Sequence, residues 1–368
     1  MSAAPGAASI EAYATHDEID GVPQPFVTPQ LFGHGQAFGE MLEARRSGRM
    51  HHAWLLQGPA GIGKATAAFC FARLLSGAAT REEPEATIGF RSDDPVFRQI
   101  AIGSLPGLIH VTRPPVERGT GFRTQITVEE VRRLGRFFHA TASGEGWRIA
   151  IVDPADDLNR SAANALLKLL EEPPARSLFL LVNHTPGRLL PTIRSRCRLA
   201  RFEELSGDEL TRVLAAFGHP LDPDDAGTIV RAAEGSVRRA LMLAANGGVE
   251  IGRTLETLLS AGELDVNGLQ ALLDQLTGRG REASFELFLS LLLDRVARES
   301  HRRLEGADIG AAAAFAELWQ AESRRLGEGA AFNLDRKQMA MTTASRYFAL
   351  KAALERRRSR DEALALGD

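Results

Sequence analysis

Only two of the 368 residues are cysteine, Cys70 and Cys197, far apart and without a Cys-x2-Cys partner. That excludes a disulfide framework and a cysteine-built structural zinc site. Lysine is almost as scarce: Lys64, Lys168, Lys337 and Lys351 are four of the 44 basic residues, and the other 40 are arginine. No apolar run approaches the ~20 residues that cross a bilayer, and Met1 to Ala14 has neither a basic start nor a continuous apolar core. No membrane contact is expected, and the expected location is the cytoplasm. A formal charge of -3 and a pI near 6.3 exclude free-standing DNA binding through bulk positive charge, although local basic patches remain open. What the chain does have is length and 44% hydrophobic content, enough for two or three domains.

A further absence is a single hydroxyl. Gly58, Pro59, Ala60, Gly61, Ile62, Gly63, Lys64 and Ala65 form a phosphate-binding loop of the Gly-x4-Gly-Lys-[Ser/Thr] kind whose last position is alanine. The glycines let successive amides turn toward a triphosphate and the lysine adds charge at the outer phosphates. The hydroxyl would have helped hold Mg²⁺. Thr66 does not replace it, because one helical step rotates a side chain by roughly 100°. His52 to Gln57 reads as a buried strand and Lys64 to Leu75 as a helix, the strand-loop-helix context such a loop requires.

Residues 1–27 read as a loosely held tail, with the folded part beginning near Leu31. Strands over Leu108 to Val111, Trp147 to Asp153 and Ser177 to Asn183 alternate with helices from a capping box at Thr127-x-x-Glu130 to His139 and from Ser161 to Glu171. The pattern predicts an α/β domain over 28–204, a parallel sheet covered on both faces with its ligand at the carboxyl ends of the strands. After Phe202 only helical patterns follow. Ser206-x-x-Glu209 caps the first of them, and the expected division is a helical lid over 205–250 and a separate helical domain over 251–368.

The strand Arg148 to Val152 ends in Asp153, placed as the Mg²⁺-holding acid of P-loop ATPases would be. Active enzymes of that kind usually carry a glutamate next, and here Pro154 follows, which can neither accept a proton nor orient water. Asp156 and Asp157 are offset from the strand end and make weak substitutes. Taken alone, Asp153 reads better as a helix cap or a solvated strand terminus, and the loop at Gly58 reverses that preference.

Asn164 to Pro174, with its Leu-Leu-Glu-Glu-Pro-Pro end, and Leu189 to Cys197, with His51 to Leu56 and the loop, resemble the clamp-loader branch of the AAA+ ATPases. The resemblance implies an AAA+ P-loop domain, a small lid and a C-terminal collar that includes Asn333 to Gln338 and joins a hetero-pentamer. It implies that Ser195-Arg196-Cys197 is the motif whose arginine, Arg196, reaches a neighbouring subunit's ATP site, where a guanidinium stabilises developing phosphoryl charge. On the residues alone, Arg196 could instead be one of a solvated cluster with Arg194, Arg198 and Arg201. By the same resemblance Asn183 is a sensor at its strand end and Arg238, in Gly235 to Leu241, the lid arginine facing nucleotide. Some relatives carry a four-cysteine zinc module after the first helix, but Gly77 to Pro106 has no cysteine, so no zinc is expected.

The expected cofactor is ATP or ADP, bound weakly or not at all, with Mg²⁺ only alongside it. The implied partners are motor subunits and a clamp-opening subunit, with the sliding clamp and primed DNA met through the complex. The implied role is a subunit that does not hydrolyse ATP. The alternative, an active motor ATPase, is opposed by both Ala65 and Pro154, and a small-molecule P-loop kinase leaves Ser195 to Cys197 unexplained.

Overall fold

The computed structural model describes residues 18–19, 22–83, 85–116, 121–139, 146–185, 187–245, 247–278, 281–331 and 334–365. Most of the expected tail, and Asn333 of the expected collar segment, lie outside them. The chain divides into two compact units, Met1–Asp222 with Val230–Ala240, and Pro223–Ile229 with Leu241–Asp368.

In chain order the first unit runs β1 (Gln30–Leu31), α1 (Gly35–Arg46), β2 (Ala53–Gln57), α2 (Lys64–Leu75), β3 (Thr80–Arg81), β4 (Ile88–Phe90), α3 (Pro95–Ala101), β5 (Leu108–Val111), α4 (Val128–His139), β6 (Arg148–Val152), α5 (Arg160–Glu171), β7 (Ser177–Asn183), α6 (Pro191–Arg194), β8 (Arg198–Arg201) and α7 (Gly207–Ala216). Both α8 (Pro223–Ala233) and α9 (Val237–Ala245) are shared between the units. The second unit continues with α10 (Gly248–Ser260), α11 (Val266–Leu276), α12 (Glu282–Glu305), α13 (Ile309–Ala331) and α14 (Arg336–Ala365).

Five strands form the expected parallel sheet in the order β5-β6-β7-β2-β8, and β1, β4 and β3 pair antiparallel in a small second sheet. Alternation along each strand feeds two cores. Trp54, Leu56, Ile149, Ile151, Leu178 and Leu180 join one with α1, α2 and α3, while Leu55, Ala150, Val152, Phe179 and Leu181 join the other with α4, α5 and α6. The helix ends obey local chemistry. Asn159 caps α5 through Ala162 N at 2.8 Å, and Ser206 and Glu209 close the expected capping box of α7. The helix expected from Thr127 does begin at Val128, and the Glu130 carboxylate pairs with Arg133 at 2.7 Å.

Packing starts earlier than Leu31. Arg73, fully buried on α2, donates to Thr28 O at 2.7 Å and Phe26 O at 2.5 Å, and its guanidinium lies 4.4 Å from the Phe97 ring centroid. Arg73→Met is expected to cost about 2–3 kcal/mol by stranding two carbonyls. Urea unfolding and faster amide exchange at Val27 and Thr28 would show it.

Candidate nucleotide and subunit-contact site

The loop between β2 and α2 stands at the carboxyl end of the sheet and turns where glycine allows it. Gly61 has φ +76° and Gly63 φ +108°. A Cβ at Gly58 would meet Phe202 O at 2.1 Å. Every carbonyl from Gly58 to Ile62 is bonded. Lys64 Nζ donates to Gly58 O at 2.6 Å and also to Pro59 O, Ser236 Oγ to Ala60 O at 3.1 Å, Arg238 N to Gly61 O at 3.3 Å, and His34 approaches Ile62 O through Nε2 at 2.7 Å. The start of α9 is thereby tied to the loop inside the first unit, and Ser236 also accepts from Arg239 N at 3.3 Å. With its carbonyls held this way, the loop's remaining polar groups are amides, and a phosphate cradle fits.

Lys64 is 2% exposed. Burial lowers its pKa to about 8 against the opposing pull of Asp153 and Asp156. An unfolded lysine titrates near 10.4, so between these values the unfolded chain holds more protons, and stability rises as pH goes from about 8 toward 10. A ¹⁵N-resolved titration of Lys64 Nζ is expected to show a midpoint near 8; a midpoint above 10 would mean that the ammonium stays hydrated.

The metal half of the site fits less well. Ala65 offers only a methyl group, and Asp153, whose backbone N–H donates to Val111 O at 2.9 Å, is followed by Pro154. Neither weak substitute for the missing base is available. Asp156 accepts from His184 N at 2.6 Å, Thr185 N at 3.1 Å and the Asn183 side chain, and Asp157 holds Arg113 at 2.5 Å. Burial raises the Asp156 pKa, and these donors offset part of the rise. Asn183 is fully buried at the end of β7, spending its amide on Asp156 and, at 3.2 Å, on Thr185 O, while Gly58 N donates to its backbone O at 3.2 Å.

The residues from Gly58 to Ala65, Asp153, Asn183 and the Arg238 backbone therefore gather around one loop. Arg196 has other contacts. Just after α6, it donates from Nη1 to Thr192 O at 3.0 Å and pairs through Nη2 with Glu171 at 2.7 Å, with its side chain 36% exposed. Sequence reasoning missed His34, Ser236 and Glu171. Ser236, just ahead of α9, carried an N-cap signal. His34 carried none, because its role depends on a left-handed backbone, φ 59°, that aims the ring at Ile62.

A five-stranded parallel sheet with a phosphate loop after its first strand, an acid ending its third and a helix tied across the loop defines a P-loop domain of the AAA+ kind. Residues 33–206 match the family model described as DNA polymerase III, delta subunit, so that stretch of the chain is similar to this family. Subunit delta' of Pseudomonas aeruginosa DNA polymerase III is 40% identical over 147 residues, covering 40% of this chain and 41% of that protein. Subunit gamma of Buchnera aphidicola subsp. Schizaphis graminum is 30% identical over 207 residues, covering 53% and 51%, and subunit tau of Escherichia coli K12 is 31% identical over 227 residues, covering 60% and 32%. The chain thus spans about half, or less, of the length of the curated relatives it matches. A solved gamma-subunit-related protein of Thermotoga maritima covers 85% of this chain and 99% of its own at 16% identity and a TM-score of 0.41. Among the described residues no helix is long and apolar enough to cross a membrane.

Proposed function

We propose that this chain is a delta-prime-like subunit of a DNA polymerase III clamp loader: a AAA+ subunit that does not hydrolyse ATP itself and lends Arg196 to the ATP site of a neighbouring motor subunit. Its partners in this reading are motor subunits and a clamp-opening subunit in a hetero-pentamer, joined through the helices of 251–368, and through them the sliding clamp and primed DNA. The observation that carries the reading is the state of the hydrolytic site. The hydroxyl is absent at Ala65, the base position is Pro154, and both nearby acids are committed to other donors. Its phosphate cradle and Lys64 still suit ATP or ADP, held weakly and with little dependence on Mg²⁺. A nucleotide there would supply phosphate oxygens for the loop amides and Lys64 to bind.

Two measurements test this. Mixing the chain with candidate motor and clamp-opening subunits is expected to give a complex whose native mass contains one copy of it. Steady-state ATP turnover by the isolated chain is expected to be absent, and robust turnover abolished by Lys64→Ala would overturn the reading.

A further inference from the structure

We propose that Glu171 is a positioning residue for Arg196, holding its guanidinium in the orientation in which it is presented to a neighbouring subunit. The inference rests on the trans-arginine reading above and adds a residue to it. An arginine two residues past the end of so short a helix, more than a third exposed, would otherwise sample many rotamers. Two acceptors from different elements prevent this. Thr192 O takes Nη1 at 3.0 Å and Glu171 takes Nη2 at 2.7 Å, leaving the rest of the fork's five donors for a further acceptor.

The place of Glu171 argues that its partner matters. It is the last residue of α5, where the helix end is partially negative and a carboxylate is disfavoured; a cation belongs there. The Arg196 guanidinium supplies that cation from outside the helix. Glu171 is itself 49% exposed, so the pair adds little to folding stability, and a variant at this position should stay folded. What the pair fixes is geometry, and misplacing a charge-stabilising group lowers the rate of the step it serves.

The test uses the full chain, alone and in the reconstituted complex. In the isolated chain, Glu171→Ala is expected to lower the ¹⁵Nε order parameter of Arg196, while Glu171→Gln, which keeps an acceptor, retains most of it. In the complex, Glu171→Ala should lower the ATP kcat of the adjoining site by about threefold to tenfold with KM unchanged, partly rescued in Glu171→Gln. Combined with Arg196→Ala it should add nothing. An unchanged order parameter, or unchanged or raised turnover in Glu171→Ala where Arg196→Ala is defective, would sink the positioning role alone. If Arg196→Ala itself leaves turnover intact, the trans-arginine reading falls and the positioning role falls with it.

Discussion

Replacing Arg196 by alanine is expected to lower ATP turnover at the adjoining motor site by about a thousandfold, while the subunit still folds and assembles. An arginine supplied in trans acts on charge that develops only in the transition state, so its loss appears in kcat and not in nucleotide affinity. Arg196→Lys should recover little, because a lysine ammonium is a point charge without the planar fork that meets two oxygens at once. Any other sites in the complex would keep their own catalytic groups, so bulk turnover should fall less than turnover at the affected site, and single-turnover kinetics separate the two. Stability should hardly move, since the side chain is exposed and its ion pair with Glu171 is screened by solvent. Full turnover in an assembled complex, with the native mass unchanged, would remove the proposed role of Arg196.

Four of the five parallel strands were legible in the sequence because each is a short apolar run whose end is marked by a change in chemistry, whereas β8, Arg198–Arg201, with an arginine at each end, was not. Leu108 to Val111, Ser177 to Asn183 and the helix from Lys64 to Leu75 lie where the pattern puts them. The phosphate loop was legible for a stronger reason: glycine spacing prescribes backbone angles, and Gly61 and Gly63 adopt the positive φ that spacing requires. Partners chosen by tertiary geometry were not legible. Asp156, an acid two residues past a proline, looks like a candidate base, yet it is bound to the backbone after β7 and to Asn183. No periodicity announces that His34 and Ser236 each bond a carbonyl of the same loop across 28 and 176 residues.

The second large effect is expected in the second unit, at a carboxylate with no access to water. Glu322 on α13 is fully buried, and one of its oxygens takes two bonds from Arg325, at 2.6 and 2.9 Å, and one from Thr343 at 2.7 Å, while the other takes Arg346 at 2.5 Å. Burial alone would raise its pKa, but these donors together outweigh burial and hold it below the usual carboxylate value. The stability it contributes is therefore present above the unfolded pKa near 4.3 and is lost as pH falls through the lower folded value. Arg325 also donates to Met339 O at 2.8 Å and to the Thr343 hydroxyl at 2.7 Å, joining α13 to α14 at two points. Arg325→Ala should cost about 3 kcal/mol, because it removes two of the four donor bonds to a buried carboxylate, which keeps only Thr343 and Arg346. Arg346→Ala should cost clearly less, its side chain being half-exposed with only one bond to give up. Denaturant unfolding gives the two costs, and amide exchange along α13 and α14 locates them. Equal costs for the two arginines would mean that the carboxylate reaches water despite its burial, and Arg325→Ala at acid pH tests the same point. Once Glu322 is protonated in both proteins, most of the difference between wild type and variant should vanish, leaving only the bonds that Arg325 makes to Met339 and Thr343.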